Sequence, residues 1–142
     1  MNCSPPARAA AGEIVATVRA CTVFVVEDDV DTRDMLGRFL ELEGFNVEVA
    51  ANGRQALERL NAGVHPCVIL LDLMMPIMNG WEFRQEIEND PILREVPVVI
   101  ISATTAELIH KTQAAAYLPK PLDMDQLLHL VGGFCGNCAG SR

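Results

Sequence analysis

The stretch Pro66–Asp72, PCVILLD, decides how this chain is read: five consecutive apolar residues, Cys67–Leu71, lie between a proline and an acid. A run that short and unbroken suits a strand buried on both faces, as in the middle of a parallel sheet. Toward the N-terminus, Cys21–Val26 (CTVFVV) is a second β-branched run that stops abruptly at Glu27-Asp28-Asp29. Asp31 can cap a helix whose apolar positions Met35, Leu36, Phe39 and Leu40 follow helical spacing, with Gly44 just past its end. Asn46–Ala50 (NVEVA) alternates like a half-exposed strand, and Asn52 caps a short helix through Leu60, ended by Asn61 and Gly63. Toward the C-terminus, Gly80–Asn89 reads as a helix with Trp81, Phe83 and Ile87 for packing, and Val96–Ile101 as a fourth strand. A polar helical stretch begins at Thr104, Ala116–Leu118 is a short fifth strand, and Asp123 caps a last helix with Leu127, Leu128 and Val131 inward. Alternating strands and helices predict an α/β fold built on a five-stranded parallel sheet, doubly wound with helices on both faces.

The 142 residues suit one domain with a single core. The expected division is an N-terminal extension at 1–20, a folded domain at 21–131 and a Gly/Cys tail at 132–142. A net charge of −8, with no run of Lys or Arg, argues against a nucleic-acid surface. No apolar stretch approaches the roughly 20 residues needed to cross a bilayer. Residues 1–20 lack the basic start and apolar core of a signal peptide, so the expected location is cytoplasmic. Five cysteines (Cys3, Cys21, Cys67, Cys135, Cys138) without framework spacing fit a reducing compartment. Cys135 and Cys138 form a C-x-x-C that reads as half a zinc site, a redox pair or an exposed tail. Zinc needs about four ligands, with Cys3 or His129 as the further candidates, and the exposed tail is the expected reading.

The functional candidates fall where the strands end. The first strand runs into Glu27-Asp28-Asp29, the third into Asp72 and the fourth into Ser102, and the fifth is followed by Lys120 between Pro119 and Pro121. A parallel sheet gathers such groups on one edge, where open α/β sheets bind their ligands. Clustered carboxylates repel one another unless a cation joins them, and an all-oxygen donor set suits a hard ion, Mg²⁺. Lys120 stands out because the chain uses nine Arg and only two Lys, and an ammonium is a compact charge for a phosphate or carboxylate oxygen.

With these pieces in place, the chain resembles the receiver domain of two-component response regulators, from Thr22 to Val131. The matching segments are VFVVEDD (Val23–Asp29), VILLDLMMPIMNG (Val68–Gly80), VVIISA (Val98–Ala103) and YLPKP (Tyr117–Pro121). The resemblance implies a flavodoxin-like receiver fold with Asp72 as phosphoacceptor, taking a phosphoryl group from a histidine kinase or a histidine phosphotransfer protein. It implies Mg²⁺ held by Asp28, by Glu27 through water, by Asp72 and by the backbone carbonyl of Met74. Ser102 and Lys120 would each bond a phosphoryl oxygen, Tyr117 would turn inward as Ser102 moves, and Pro76 and Gly80 would shape the loop after Asp72. It also implies a signalling role rather than an enzyme's, acting only on the receiver's own aspartyl phosphate, and output through conformational change to a downstream protein.

One departure concerns the fourth helix. Ser102 and Lys120 are 18 positions apart, shorter than the family pattern, so a shortened helix over about Thr105–Ala115 is expected, and with it a monomer or weak dimer. Three alternatives have distinct signatures. A haloacid-dehalogenase-like phosphatase needs a second Asp two positions after the nucleophile, where this chain has Met74. A flavodoxin-like cofactor binder needs a Gly- and hydroxyl-rich phosphate loop where this chain has Glu27-Asp28-Asp29. A receiver-like module that binds proteins without phosphorylation would not need its acceptor and metal positions filled, as they are here. Only eleven residues follow Val131, too few for a DNA-binding unit, so a stand-alone receiver is expected.

Overall fold

The structure, a computed structural model, describes residues 21–103 and 114–140, with side chains to 135. Five strands, β1 (Thr22–Val26), β2 (Asn46–Ala50), β3 (Val68–Leu71), β4 (Val98–Ser102) and β5 (Ala116–Pro119), form one sheet in the order β2-β1-β3-β4-β5. Every pairing is parallel. Among the described residues there are four α-helices: α1 (Val30–Leu42), α2 (Gly53–Asn61), α3 (Gly80–Glu88) and α4 (Met124–Gly140). This is the doubly wound sheet that the alternation predicts. Among the described residues, no helix is long and apolar enough to cross a membrane.

Strand periodicity divides the core in two. Val23, Val25, Val68, Leu70, Val99 and Ile101 pack on one face with Leu36 and Leu40 of α1 and Leu127 and Val131 of α4. Their neighbours in sequence, Phe24, Val26, Ile69, Leu71, Val98 and Ile100, face the other way against Ala56 and Leu60 of α2 and Phe83 and Ile87 of α3. β3 has a strand on each side and a helical layer on each face, which is why all four of its residues are buried and apolar.

Several expected details shift. Asp29, not Asp31, caps α1, its carboxylate accepting from the Thr32 amide at 2.9 Å. Of the expected apolar positions, Leu36 and Leu40 are buried, while Met35 is 47% exposed. β4 begins at Val98, because a short 3₁₀ turn at Leu93–Glu95 precedes it. Asp123 caps α4 as expected, accepting from the Gln126 amide at 3.1 Å. The N-terminal extension at 1–20 and most of the shortened fourth helix lie outside the described residues. Ala114 and Ala115, placed at the end of that helix from sequence, are not helical.

The largest correction is at the C-terminus. The segment expected to be a Gly/Cys tail from Gly132 continues α4 through Gly140. Glycine costs a helix about 1 kcal/mol relative to alanine, but Leu127, Val131 and Cys135, four residues apart, prolong one buried stripe. Burial of that stripe outweighs the glycines. Cys135 is therefore 4% exposed rather than on an exposed tail. Cys67 is disulfide-bonded, which departs from the all-thiol expectation, while Cys21 and Cys135 are buried thiols.

Candidate functional site

The site is built at the carboxyl ends of β1, β3, β4 and β5. Order β2-β1-β3 makes the chain cross between β1 and β3, and the connections leaving these two strands diverge to opposite faces, opening a crevice there. Register does the rest. Val26 pairs with Leu71, so the residues that follow, Glu27 and Asp72, emerge side by side. The Asp72 amide donates to the Val26 carbonyl at 3.0 Å, and the Glu27 amide to the Ala50 carbonyl at 3.0 Å. On the other flank, Ser102 pairs with Pro119, and the Lys120 amide donates to the Ser102 carbonyl at 3.1 Å. The Lys120–Pro121 peptide bond is cis.

Glu27, Asp28 and Asp72 each offer a carboxylate oxygen, and these oxygens lie within 4.8 Å of one another. Glu27 and Asp72 are buried, at 1% and 5% exposure, whereas Asp28 is open to solvent. Lys120 Nζ bonds Glu27 Oε1 at 2.9 Å and stands 3.6 Å from Asp72 Oδ2. Among the described residues, one ammonium thus serves a pocket of three acids. The shortfall shows at Asp72, whose carboxyl is pushed up to about 7 by burial first and by the Glu27 charge second. The Lys120 charge and the Met74 amide, which donates to Asp72 Oδ1 at 3.3 Å, only partly oppose that rise. Burial alone would lower the Lys120 ammonium, but its bond to Glu27 and the charges of Asp72 and Glu27 turn the net shift upward. A second positive charge at the open Asp28 side fits this pocket. All three donors are carboxylate oxygens, as a hard divalent ion requires.

The supporting contacts come from residues that carry no motif. The Asp29 amide donates to Glu27 Oε2 at 3.1 Å. Arg33, one turn into α1, donates from Nη1 to the Glu27 carbonyl at 2.9 Å and to the Asp28 carbonyl at 3.4 Å, bracing the acidic loop from outside. Sequence reading missed both that brace and the Lys120–Glu27 pair. Arg33 is one of nine arginines, and nothing in its spacing announces a contact to backbone carbonyls.

The loop after Asp72 is held by close approaches. Ile77 has φ +67°, rare for a β-branched residue, where the Met78 amide turns back to the Pro76 carbonyl at 2.7 Å. The Gly80 amide donates to the Leu73 carbonyl at 2.9 Å, and a Cβ on Gly80 would sit 2.6 Å from Leu73 Cα and 2.7 Å from the Asp72 carbonyl oxygen. Asn79 then opens α3 with a reciprocal cap, its side chain accepting from the Glu82 amide while Glu82 accepts from the Asn79 amide.

The structure thus brings Glu27, Asp28, Asp72 and Lys120 together and sets Ser102 beside Lys120. Ser102 is fully buried at the end of β4. Tyr117 is half-buried on β5, opposite Ile100, and packs on the α2–α3 face of the core. The Met74 side chain points outward at 61% exposure.

Comparison with known proteins agrees with this geometry. A family model described as the response regulator receiver domain matches residues 23–132. A CpxR homolog of Haemophilus influenzae, described as a transcriptional regulatory protein, is 36% identical over 110 residues, covering 75% of this chain and 46% of its own length. An uncharacterized 14.6 kDa protein of Leptolyngbya boryana is 35% identical over 125 residues, covering 84% of this chain and 93% of its own. Most of the curated relatives resemble the first case: the chain spans about half their length. Among solved structures, the receiver domain of a sensor histidine kinase from Pseudomonas aeruginosa superposes with a TM-score of 0.74 at 25% identity, covering 82% of this chain and 98% of that one. It is described with a magnesium ion coordinated in its active-site cleft.

Proposed function

The chain belongs to the family of response regulator receiver domains, and from that premise we propose that Asp72 accepts a phosphoryl group from a histidine kinase or a histidine phosphotransfer protein. The observation that carries this is the placement of Asp72: buried, one of three clustered carboxylates, with the Lys120 ammonium 3.6 Å from its Oδ2. In the reaction, an Asp72 carboxylate oxygen attacks phosphorus, a P–O bond forms as the P–N bond of the phosphohistidine breaks, and the imidazole leaves. Such transfers need positioning and neutralised oxygens more than covalent help. Glu27, Asp28, Asp72 and the Met74 carbonyl are the residues to hold Mg²⁺, which when bound supplies the positive charge that keeps Asp72 ionised and offsets the phosphoryl oxygens. Lys120 Nζ stands beside Asp72 to take one phosphoryl oxygen, and the Ser102 hydroxyl takes another.

The family's role is signalling rather than turnover of an outside substrate. New bonds from Ser102 and Lys120 to the aspartyl phosphate draw the ends of β4 and β5 toward Asp72. Tyr117, half-buried beside Ile100, is the side chain placed to change its packing with that movement. The output is a protein partner. The net charge of −8 supports a protein rather than a nucleic-acid surface, and the relatives' regulation of transcription stays with their full-length chains. A monomer or weak dimer and a cytoplasmic setting complete the reading.

Intact mass after incubation with Mg²⁺ and acetyl phosphate tests it. The expected result is one added phosphoryl mass, absent from Asp72→Ala. Equal labelling of the variant, or no labelling of the wild type, overturns it in favour of a receiver-like module that binds proteins without phosphorylation.

A further inference from the structure

At the other pole of the sheet, the amino ends of the strands, lies a second cluster that the phosphoryl site does not use. Cys21 precedes β1, Cys67 precedes β3, and Cys135 comes from the late turns of α4. Their sulfurs lie within 4.8 Å of one another, and all three side chains are buried. Cys21 Sγ donates to the Cys135 backbone carbonyl at 3.4 Å. Two backbone bonds fix the floor of the cluster: the Cys67 amide to the Thr22 carbonyl at 2.8 Å, and the Asn46 amide to the Cys21 carbonyl at 3.0 Å.

We propose that Cys21, Cys67 and Cys135 form a thiolate site for zinc. Cys135 alone is no site, and the fold brings it two further sulfurs from segments remote in sequence. Tetrahedral zinc with Zn–S near 2.3 Å sets its sulfurs about 3.8 Å apart, a spacing this cluster meets with small rotamer adjustments. Soft sulfur donors select zinc, while the hard carboxylate cluster at the opposite pole selects Mg²⁺. A single buried cysteine is ordinarily a small core hydrophobe. Three converging sulfurs, one belonging to a C-x-x-C, make a ligand set.

The bound form and the disulfide form exclude each other. Cys67 is disulfide-bonded in the structure, so loading begins with its reduction. A thiol reductant gives two electrons and two protons, becomes a disulfide itself, and leaves two cysteine thiols. Zinc then displaces one proton from each coordinating thiol to the solvent. Because the ligands join β1, β3 and α4, occupancy clamps the C-terminal helix to the sheet, and oxidation of Cys67 withdraws a ligand.

The full-length protein, reduced with a phosphine and stripped of metal by chelator under nitrogen, is titrated with Co²⁺ and then Zn²⁺. A thiolate-to-cobalt charge-transfer band that saturates at a single equivalent and is bleached by a single equivalent of Zn²⁺ is the expected result. It should be lost in Cys67→Ser and Cys135→Ser and kept in Asp72→Asn, which separates it from metal bound at the acid site. Absence of the band in the reduced wild type overturns the proposal without recourse to any variant, and so does a band undiminished in both Cys67→Ala and Cys135→Ala.

Discussion

Asp72 is held in a position that disfavours its own charge, and a clear pH dependence follows. Its carboxyl, ordinarily near 3.8, is pushed up to about 7 by burial and by Glu27. Below pH about 4 it is protonated in the folded and unfolded chain alike. Between there and pH about 7 only the folded chain keeps the proton, so in chelator folding stability falls as pH rises through that window. Asp72→Asn removes the loss. At pH 8 without metal, the variant is expected to be more stable than the wild type by about 1–3 kcal/mol, with the gap narrowing toward pH 5. Urea unfolding at both pH values checks this, and parallel behaviour of the two proteins would refute it. Gly80 sets a steric limit at the same site. A Cβ there meets Leu73 Cα at 2.6 Å and the Asp72 carbonyl oxygen at 2.7 Å, both backbone atoms that cannot swing aside. Gly80→Ala is expected to cost about 2–4 kcal/mol, as overpacking does, and to slow labelling of Asp72 by acetyl phosphate. A change below 0.5 kcal/mol with normal labelling would show that the loop yields.

At the scale of elements, α1 shows that a cap fixes where a helix begins and the surface it packs on fixes which face turns inward. Placing the cap at Asp31 or at Asp29 leaves the apolar spacing equally plausible, because Met35, Leu36, Phe39 and Leu40 satisfy both. Which residue faces in is decided by the sheet below, against which Leu36 and Leu40 pack. Leu36→Ala is expected to cost about 2–4 kcal/mol and Met35→Ala less than about 0.5. Thermal unfolding of the pair checks it, and equal costs would contradict the observed phase. The C-terminal helix teaches the opposite lesson. Local composition, Gly132, Gly133 and Gly136 within five residues, speaks for a tail. The stripe Leu127, Val131 and Cys135 speaks for a helix, and it prevails only because a sheet face is there to receive it. Propensity was legible in the sequence, whereas the receiving surface was not.

At the scale of the whole molecule, two poles carry different chemistry on one sheet. The strands between them are about five residues long, so the poles stand roughly 15–17 Å apart at about 3.3 Å per residue. The carboxylate pole should couple stability to Mg²⁺. At 100 times its Kd, Mg²⁺ is expected to add about 2.7 kcal/mol. Melting at pH 7.5 with and without Mg²⁺ reads this, and Asp28→Asn should need a higher concentration for the same gain. No rise in the wild type would mean that the three carboxylates do not act as a metal site.

The sequence by itself determined the sheet and the content of the acid site. Unbroken apolar runs ending at Glu27, Asp72, Ser102 and before Lys120 mark buried parallel strands, and strands that share a direction bring their ends to one edge. Those are one-dimensional signals, because period and position suffice to read them. Only the tertiary structure decided what depends on distance between remote residues. It gave Lys120 to Glu27 as well as to Asp72, set Arg33 against two backbone carbonyls, and drew Cys21 and Cys67 to Cys135, which looked stranded in a tail. Each pairing joins groups that are unremarkable alone, and sequence spacing does not encode the approach of one segment to another until the sheet has fixed both.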